Sequence, residues 1–372
     1  MAESVNERHR VKLIHGGDIY SAREQLSRRE NAPDILDFSA NINPLGLPEG
    51  VKQAIIKSMD NYNAYPDPLC RELIYNLSRF ERVPAHWLRC GNGAADLIYR
   101  LVYAQKPKKA MVLAPTFAEY EEALNTVSCQ VVHYELQAGN AFRLDENFLE
   151  VLPQVSGLDM LFLCNPNNPT GQLIPREIIV EILQCCRALG ILCVIDECFN
   201  DFLEEPQKYS AKEYLQEYDN LFILRAFTKI YAMAGIRLGH CISSNEKLLE
   251  DLTKAGQPWS VSIVAQIAGI QAMQEKDYII RTKALLYEER AYLVRSLGDL
   301  GINVIASIAN YIFIRWPFNT PKPLHEMLFA KGILIRNCDN YYGLSLGYYR
   351  ICIRKHEDNA ALIAALKSLA VQ

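Results

Sequence analysis

The feature that most limits the possible folds of this chain is a series of short apolar runs between residues 110 and 224, separated by helical or polar segments. Each run is about five residues long, which is the usual length of a buried strand. Such strands, alternating with helices, predict a mostly parallel sheet that helices cover on both faces. The predicted strands are residues 110–114, 130–134, 160–164, 191–195 and 221–224.

A length of 372 residues favours two domains over a single core. The pattern changes after residue 257, where a helical region over 262–299 precedes further short strands and two more helices. We therefore predict a large domain over 45–257 and a smaller α+β domain over 258–372, with 1–44 as an arm and part of the small domain. The later predicted strands are 304–307, 311–315, 333–336 and 349–353, and the later helices are 323–331 and 357–370.

The composition gives no reason to expect nucleic acid or a membrane as partner. The net charge is −4 at pH 7, no apolar run is long enough to cross a bilayer, and the first residues lack the apolar stretch of a signal peptide. The eleven cysteines are scattered and form no Cys-x-x-Cys pair. Free thiols in a reducing compartment explain them better than disulfides or a zinc site. We expect a soluble, cytoplasmic protein without a metal.

The stretch that follows the last of these strands carries a lysine in apolar surroundings, Lys229. Desolvation penalises the ammonium form, so such a lysine can supply the neutral amine that an imine with an aldehyde cofactor requires. Arg237 follows eight residues later between Gly235 and Gly239, and its planar, permanently charged guanidinium suits a phosphate. Taken alone, a lone lysine is more often a surface residue on a loop.

Two further polar residues follow predicted strands, and the topology brings them to the same crevice as Lys229. Asn168 lies just past 160–164, and Asp196 directly follows 191–195. Ligands of parallel sheets bind at the carboxyl ends of strands. Asp196 can hold the protonated nitrogen of a pyridine ring, and Asn168 can donate to a ring oxygen. Alone, Asp196 reads as a helix cap and Asn168 as a turn residue, but their order at successive strand ends is not expected by chance.

A glycine turn upstream predicts the phosphate site of the same cofactor. Gly93, Ala94 and Ala95 lie where a helix begins, and free backbone N–H groups at a helix N-terminus bind phosphates. Phe117 follows an earlier strand and can stack on the face of a ring. Asp96 could equally serve the helix dipole, so this turn alone is weak evidence.

At these residues the sequence resembles the fold-type I, aspartate-aminotransferase-like family of pyridoxal-phosphate enzymes over nearly the whole chain. The resemblance implies an α/β fold in which a large domain, with a mostly parallel sheet covered by helices, joins a smaller α+β domain. It also implies pyridoxal 5'-phosphate as the cofactor. The matching motifs are Asn168-Pro169-Thr170-Gly171, Asp196-Glu197, and Lys229 with Arg237.

The same resemblance implies a role for each residue at the cofactor. Lys229 would form the imine, Asp196 would hold the pyridine nitrogen, Asn168 would donate to the ring hydroxyl, and Arg237 would bind the phosphate. The family further implies a homodimer in which Tyr65 reaches the phosphate site of the partner subunit.

Within that family, the segments 15–17 and 37–46 resemble the threonine-phosphate decarboxylases of cobalamin biosynthesis, with histidinol-phosphate aminotransferases as relatives. We expect decarboxylation of L-threonine phosphate to aminopropanol phosphate, or of L-serine phosphate to ethanolamine phosphate, for the cobamide linker. Transamination of histidinol phosphate is the alternative, and a cofactor-binding regulator without catalysis is a third reading. The implied substrate-binding residues are His15, Gly16, Asn41, Asn168, Arg336 and Arg350.

The chain also departs from the family pattern around the cofactor. Ala226 stands three residues before the lysine, where a hydroxyl residue is usual, and Ala94 and Ala95 replace residues that often carry polar side chains. We expect either weaker retention of the cofactor or compensation by Thr228 and backbone N–H groups in holding the phosphate. Phe199 replaces the tyrosine of many aminotransferases, as the decarboxylase resemblance implies.

Overall fold

A seven-stranded sheet forms the centre of the large domain in the computed structural model, which describes residues 16–27, 34–305 and 308–370. The strands are β1 (Leu36–Asp37), β2 (Leu88–Gly91), β3 (Lys109–Ala114), β4 (Gln130–Glu135), β5 (Met160–Cys164), β6 (Leu192–Asp196), β7 (Leu221–Ala226), β8 (Gly239–Ile242), β9 (Asn303–Ile305), β10 (Tyr311–Arg315), β11 (Ile333–Leu334), β12 (Arg336–Asn337) and β13 (Tyr348–Cys352). The helices are α1 (Ile19–Ser27), α2 (Glu49–Lys57), α3 (Arg71–Glu81), α4 (Ala94–Gln105), α5 (Glu119–Asn125), α6 (Asn147–Val151), α7 (Arg176–Leu189), α8 (Phe227–Ile230), α9 (Glu246–Lys254), α10 (Ile263–Ala272), α11 (Lys276–Asp299), α12 (Leu324–Phe329) and α13 (His356–Ala370).

The pairing of the strands confirms the mostly parallel sheet that the apolar runs predict. The order across the large sheet is β2-β8-β7-β6-β5-β3-β4. The pairs from β7 through β4 are parallel, whereas β8 runs antiparallel to both of its neighbours. The carboxyl ends of β5, β6 and β7 therefore lie side by side at one end of the sheet.

Cores on the two faces of the sheet explain why its central strands are largely apolar. Every residue of β5 and of β7 is buried. In β5, Phe162 packs into the core that includes Leu97 of α4, whereas Leu161 and Leu163 belong to the core that includes Ile182 of α7. A strand that is buried on both faces cannot alternate apolar with polar residues, so it appears in the sequence as one continuous apolar run.

The small domain contains a four-stranded antiparallel sheet with the order β12-β13-β10-β9. The N-terminal segment is attached to this domain through β1, which pairs in parallel with β11 and places Leu36 opposite Ile333. Helix α10, in contrast, packs on α2 and α3 of the large domain. The division at residues 44 and 257 stays a prediction.

Two segments differ from the elements that the sequence predicts. The expected strand 333–336 is two short strands in two sheets, because the chain changes partner at Ile335, from β1 before it to β13 after it. The helical region 262–299 is interrupted at 273–275, where Glu275 leaves the helical conformation with φ −80° and ψ 57°. The interruption lets α10 and α11 pack against different parts of the molecule.

Several short elements were not predicted from the sequence. One of them, α9, has a sequence pattern that indicates a helix. Helix α9 begins after Asn245, whose side chain accepts a hydrogen bond from Leu248 N, and its three buried leucines have helical spacing. By contrast, β8 is only four residues long and contains a glycine and a histidine, so its sequence gives little indication of a strand.

No helix within the described ranges combines the length and the apolar character needed to cross a bilayer. All eleven cysteines are free thiols, and all except Cys185 are buried.

Candidate active site

The carboxyl ends of the central strands open into a cavity of about 330 Å³, which residues of the small domain and of the N-terminal segment close from the other side. Most of the residues that the sequence singles out lie in its wall. The predicted site residues among them are Gly16, Asn41, Ala94, Ala95, Phe117, Asn168, Asp196, Thr228, Lys229, Arg237, Arg336 and Arg350.

Two predicted site residues, Gly93 and Tyr65, lie outside this lining, and a third is not among the described residues. Gly93 directly precedes Ala94 and faces Arg237 from the edge of the cavity. His15 lies outside the described residues. Tyr65 is 79% exposed and stacks on Trp259 with a distance of 4.7 Å between ring centroids, so in this chain it does not line its own cavity.

The amine of Lys229 is held by a short helix that directly continues β7. The N-terminal segment fixes this helix, because Asn43 N donates to the Lys229 carbonyl at 3.1 Å and Asn43 Nδ2 donates to the carbonyl of Ile230 at 2.7 Å. Burial, together with the positive charges of Arg350 and Arg237, lowers the pKa of Lys229 to about 8. The chain therefore offers the neutral amine that the sequence predicts.

Both carboxylate oxygens of Asp196 accept hydrogen bonds inside the cavity wall. Cys198 N donates to Oδ1 at 2.9 Å, and the hydroxyl of Tyr120 donates to Oδ2 at 2.7 Å. Tyr120 is fully buried and stacks on Phe162 with 4.9 Å between centroids. Burial and the charge of Asp196 raise the pKa of Tyr120 well above its ordinary value, so its hydroxyl remains a donor.

A second wall of the cavity is suited to bind a phosphate. Helix α4 begins at Ala94 without a side-chain cap, which leaves its first backbone N–H groups for a ligand. Arg237 lies against Gly93, where a Cβ would come within 2.5 Å of the Arg237 Nη2 atom. A Cβ on Gly239 would lie 2.5 Å from Ala94 N. Glycine at these two positions therefore permits the arrangement.

The opposite wall presents arginines and an amide from three parts of the chain. Arg350 of β13 donates through Nη1 to Asn168 Oδ1 at 2.5 Å and through Nη2 to the Ser39 carbonyl at 2.7 Å. Both side-chain polar atoms of Asn41 are buried without a partner among the described residues, and Asn41 is only 2% exposed. A buried amide without hydrogen-bond partners destabilises the folded protein. The donor and the acceptor of the Asn41 side chain are therefore available to bind a ligand.

Arg336 completes this wall. Its Nη2 donates to Asn340 Oδ1 at 2.8 Å, and its guanidinium lies 5.0 Å from the centroid of the Tyr341 ring, which also lines the cavity. Gly16 lies at the N-terminal side, where a Cβ would come within 2.2 Å of the Ser39 carbonyl oxygen. The backbone can approach the site this closely only because Gly16 has no side chain.

The residues that sequence reasoning missed include Tyr120, which binds Asp196 from behind the cavity, and Tyr341, which lines it. Tyr120 lies three residues after Phe117, in the first turn of α5, and the two rings are in contact with 5.6 Å between centroids. Tyr341 lies in the loop between β12 and β13, and nothing in its sequence context distinguishes it from a surface tyrosine.

Comparison with known proteins identifies the family. Residues 33–366 match the family model described as Aminotransferase class I and II. The chain belongs to the class I and II aminotransferase family. The predicted fold and the predicted cofactor, pyridoxal phosphate, are thereby confirmed.

Two curated relatives of the family cover almost the whole chain. The chain is 38% identical to a threonine-phosphate decarboxylase of Salmonella typhimurium over 95% of this chain and 96% of that protein. It is 32% identical to a histidinol-phosphate aminotransferase of Symbiobacterium thermophilum over 93% of each chain. Among solved structures, the histidinol-phosphate aminotransferase from Clostridium acetobutylicum superposes with a TM-score of 0.84 at 28% identity, over 91% of this chain and 99% of that one.

The cavity has the donor set that pyridoxal phosphate needs. A buried carboxylate, an amine with a lowered pKa and an uncapped helix N-terminus beside an arginine all face the same space. These groups match the ring nitrogen, the aldehyde and the phosphate of the cofactor in turn. The residues present therefore fit the family's cofactor.

Proposed function

We propose that the protein decarboxylates the O-phosphate of a small L-amino acid. L-Threonine phosphate would give aminopropanol phosphate, and L-serine phosphate would give ethanolamine phosphate, for the linker of a cobamide. The observation that carries this proposal is the presence of two cationic groups in one cavity, Arg237 at the start of α4 and the pair Arg336 and Arg350 opposite. One group matches the cofactor phosphate, and the other matches a substrate with two anionic groups.

The chain's residues would divide the work at the cofactor as follows. Lys229 would offer its amine to the aldehyde carbon, and Asp196 would hold a proton on the ring nitrogen. Asn168 would donate to the ring oxygen, and Phe117 would pack on the ring face. The phosphate would be bound by the remaining predicted residues of this group, which are Gly93, Ala94, Ala95, Thr228, Arg237 and, from the partner subunit, Tyr65.

The bound cofactor supplies an electron sink for the bond that breaks. In the overall reaction the bond between the α-carbon and the carboxylate breaks, CO₂ leaves, and a proton takes its place on the α-carbon. The role of Arg336, Arg350 and the free amide of Asn41 is to hold the phosphate and the carboxylate of the substrate. Gly16 and His15 complete this part of the proposed substrate site.

The two candidate substrates differ by one methyl group. A pocket distinguishes such a pair by about 10- to 200-fold, so the ratio of the two kcat/KM values will name the physiological substrate.

Transamination of histidinol phosphate is the second candidate function. It is favoured by the 32% identity to a histidinol-phosphate aminotransferase and by the similarity of fold to another. The site residues are compatible with either reaction, because both need the same cofactor contacts and a phosphate-binding wall.

The two functions differ in their need for a keto acid, which a transaminase requires as the amino acceptor and a decarboxylase does not. Purified, cofactor-loaded protein should release CO₂ from L-threonine phosphate or L-serine phosphate without any keto acid, and Lys229→Ala should abolish the release. Formation of glutamate from histidinol phosphate and 2-oxoglutarate, with no CO₂ from either amino-acid phosphate, would establish the aminotransferase instead.

We also propose that the chain works as a homodimer in a reducing cytoplasm. Large apolar side chains are exposed on α2, on α3 and in the loop between them, and such a patch favours a protein partner. The free state of all eleven cysteines supports the compartment. The exposed side chains include Ile56 (57%), Met59 (61%), Tyr65 (79%), Leu69 (53%) and Tyr75 (59%).

A further inference from the structure

We propose that a buried ion network behind the active site positions the ends of β6 and β7, which carry Asp196 and Lys229, and the start of β8. We call it the rear network, and it consists of Glu81, Glu197, Asp201, Lys212, Arg225 and His240. The proposal goes beyond the function above, because none of these residues lines the cavity.

Arg225 and Glu197 form the centre of the rear network. Their side chains meet at 2.7 Å, and Arg225 is 5% exposed while Glu197 is fully buried. A second carboxylate, Asp201, accepts from Arg225 Nη1 at 3.0 Å. Glu197 is also bound by Ser210 Oγ at 2.8 Å and by Ala211 N at 2.7 Å. Every oxygen of the central carboxylate is therefore engaged.

The rest of the rear network joins β8 and α3 to this centre. His240 Nε2 lies 3.1 Å from Glu81 Oε1, and Lys212 Nζ donates to Glu81 Oε2 at 2.7 Å. Glu81 is 2% exposed. Burial alone would raise the pKa of Glu81, but the charges of Arg225, His240 and Lys212 hold it well below its ordinary value. Glu81 thus remains an anion that needs these partners.

The strand register places each central member of the rear network next to a residue of the active site. Arg225 pairs with His240 across β7 and β8, and the next pair along is Ala226 with Gly239. Ala226 lines the cavity, and Gly239 packs against Ala94 N at the start of α4. Successive residues of a strand face opposite sides of the sheet. The pair Arg225 and His240 therefore belongs to the rear network, and the pair Ala226 and Gly239 faces the active site.

Members of the rear network also lie close in sequence to the two catalytic residues, Asp196 at the end of β6 and Lys229 after β7. Glu197 directly follows Asp196, and Arg225 stands four residues before Lys229. A shift of Glu197 relative to Arg225 would therefore change the distance between the carboxylate and the amine of the site. The separation between these two groups is what the rear network fixes.

The rear network is better suited to position the catalytic groups than to stabilise the fold. A buried ion pair stabilises little compared with apolar residues of the same volume, but losing one partner leaves a costly unpaired charge. Such a pair therefore tolerates little displacement. Catalytic groups in turn need this precision, because a misplacement of about 1 Å can cost about 100-fold in rate.

The test compares variants of the holoenzyme by two readouts. The first is the pH midpoint of the visible absorbance change of the bound cofactor, measured without substrate. The second is the division of any loss of CO₂ release between kcat and KM. We expect Arg225→Met to move the midpoint and to lower kcat by about 10- to 100-fold with KM little changed. Arg225→Lys, which keeps the charge, should recover part of kcat.

Controls separate positioning from folding. Arg176→Met removes an exposed ion pair with Glu213 outside the rear network, and should change neither readout. If Arg225→Met does not fold, Asp201→Asn decides the matter, because the side chain of Asp201 is 31% exposed and its loss leaves the Arg225–Glu197 pair intact. Asp201→Asn should move the midpoint in the same direction and lower kcat by a smaller factor.

The proposal would be overturned by a folded Arg225→Met or Asp201→Asn holoenzyme that has the parent midpoint and the parent kcat and differs only in melting temperature. The midpoint needs no substrate, so a wrong assignment of the reaction would leave this readout informative. Absence of CO₂ release from the parent protein, with a shifted midpoint in the variants, would contradict the proposed function alone.

Discussion

At the scale of single residues, the state of the Lys229 amine decides whether the cofactor can be attached near neutral pH. A pKa of about 8 leaves about one amine in ten neutral at pH 7, against about one in three thousand at an ordinary lysine pKa. Because the pKa is lowered, the neutral form dominates above pH 8 and is lost as the pH falls below it. The active site therefore needs no additional base to prepare this lysine.

This pKa predicts the pH dependence of cofactor binding. The rate constant for covalent attachment to the cofactor-free protein should rise with pH and level off above about 8, as measured by stopped-flow absorbance. A rate constant that keeps rising tenfold per pH unit up to the ordinary lysine range would show that the amine is not perturbed.

Tyr120 is the residue through which Asp196 is held in position. Tyr120→Phe keeps the ring that stacks on Phe162 but removes the donor to Asp196 Oδ2. Hydrogen bonds to charged groups contribute about 1.5–3 kcal/mol, so we expect kcat to fall by about 10- to 150-fold with a small effect on KM. Steady-state kinetics of CO₂ release measures both constants.

A second buried tyrosine provides the control for this change. Tyr278→Phe removes a hydrogen bond of equal length, 2.7 Å, from the tyrosine hydroxyl to the carbonyl of Gly46. It should lower the melting temperature without lowering kcat. Equal losses of kcat in the two variants would contradict the role given to Tyr120.

At the scale of elements, the phosphate site depends on close packing between β8 and the start of α4. Gly239→Ala would place a Cβ 2.5 Å from Ala94 N, and a backbone atom cannot move aside as a flexible side chain can. Overpacking of this kind costs about 1–3 kcal/mol, which predicts cofactor affinity lower by about 5- to 150-fold. Titration of the cofactor-free protein with pyridoxal phosphate measures this affinity.

Gly298→Ala is the matched control for the glycine substitution. Among the described residues, nothing lies within 4 Å of the position where its Cβ would be built, on helix α11. The variant should bind the cofactor like the parent protein and melt at a higher temperature, since alanine favours a helix by about 1 kcal/mol over glycine. Unchanged affinity in Gly239→Ala would contradict the proposed phosphate site.

At the scale of the whole molecule, the proposed dimer would make Tyr65 part of the active site of the partner subunit. Tyr65 is 79% exposed and does not line its own cavity, which agrees with the proposed role at the site of the partner subunit. Sedimentation should show a dimer. Tyr65→Phe should preserve the dimer but weaken cofactor binding by about tenfold, as the loss of one charge-assisted hydrogen bond predicts.

Tyr75→Phe is the control, because Tyr75 is also exposed (59%) but lies on α3. It should leave cofactor affinity unchanged. A fully active monomer, or a Tyr65→Phe variant with the parent affinity, would contradict the shared site.

The parts of the site that follow buried strands could be predicted from the sequence. Asn168, Asp196 and Lys229 come within five residues of the ends of apolar runs, and parallel strands bring their carboxyl ends together whatever the details of packing. Tyr120 could not be paired with Asp196 in this way, because 76 residues separate them and only the packing of α5 on the sheet brings them together.

The rear network shows the same limit more strongly. Glu81 and His240 are 159 residues apart, and neither lies in a recognisable motif. Charged residues in the sequence are usually on the surface, so their burial becomes visible only when the strands and helices are in place. The bend at Ile335, which puts Arg336 beside Arg350, likewise depends on pairing with two different strands.

The proposed decarboxylation is tested most directly by a single turnover of L-threonine phosphate labelled in its carboxylate, with the holoenzyme in excess and no keto acid present. We expect that all the label leaves as CO₂, that aminopropanol phosphate forms in equal amount, and that the cofactor returns to its aldehyde form. Label retained in a 2-oxo acid phosphate, with the cofactor left in its amine form, would contradict the proposed decarboxylation.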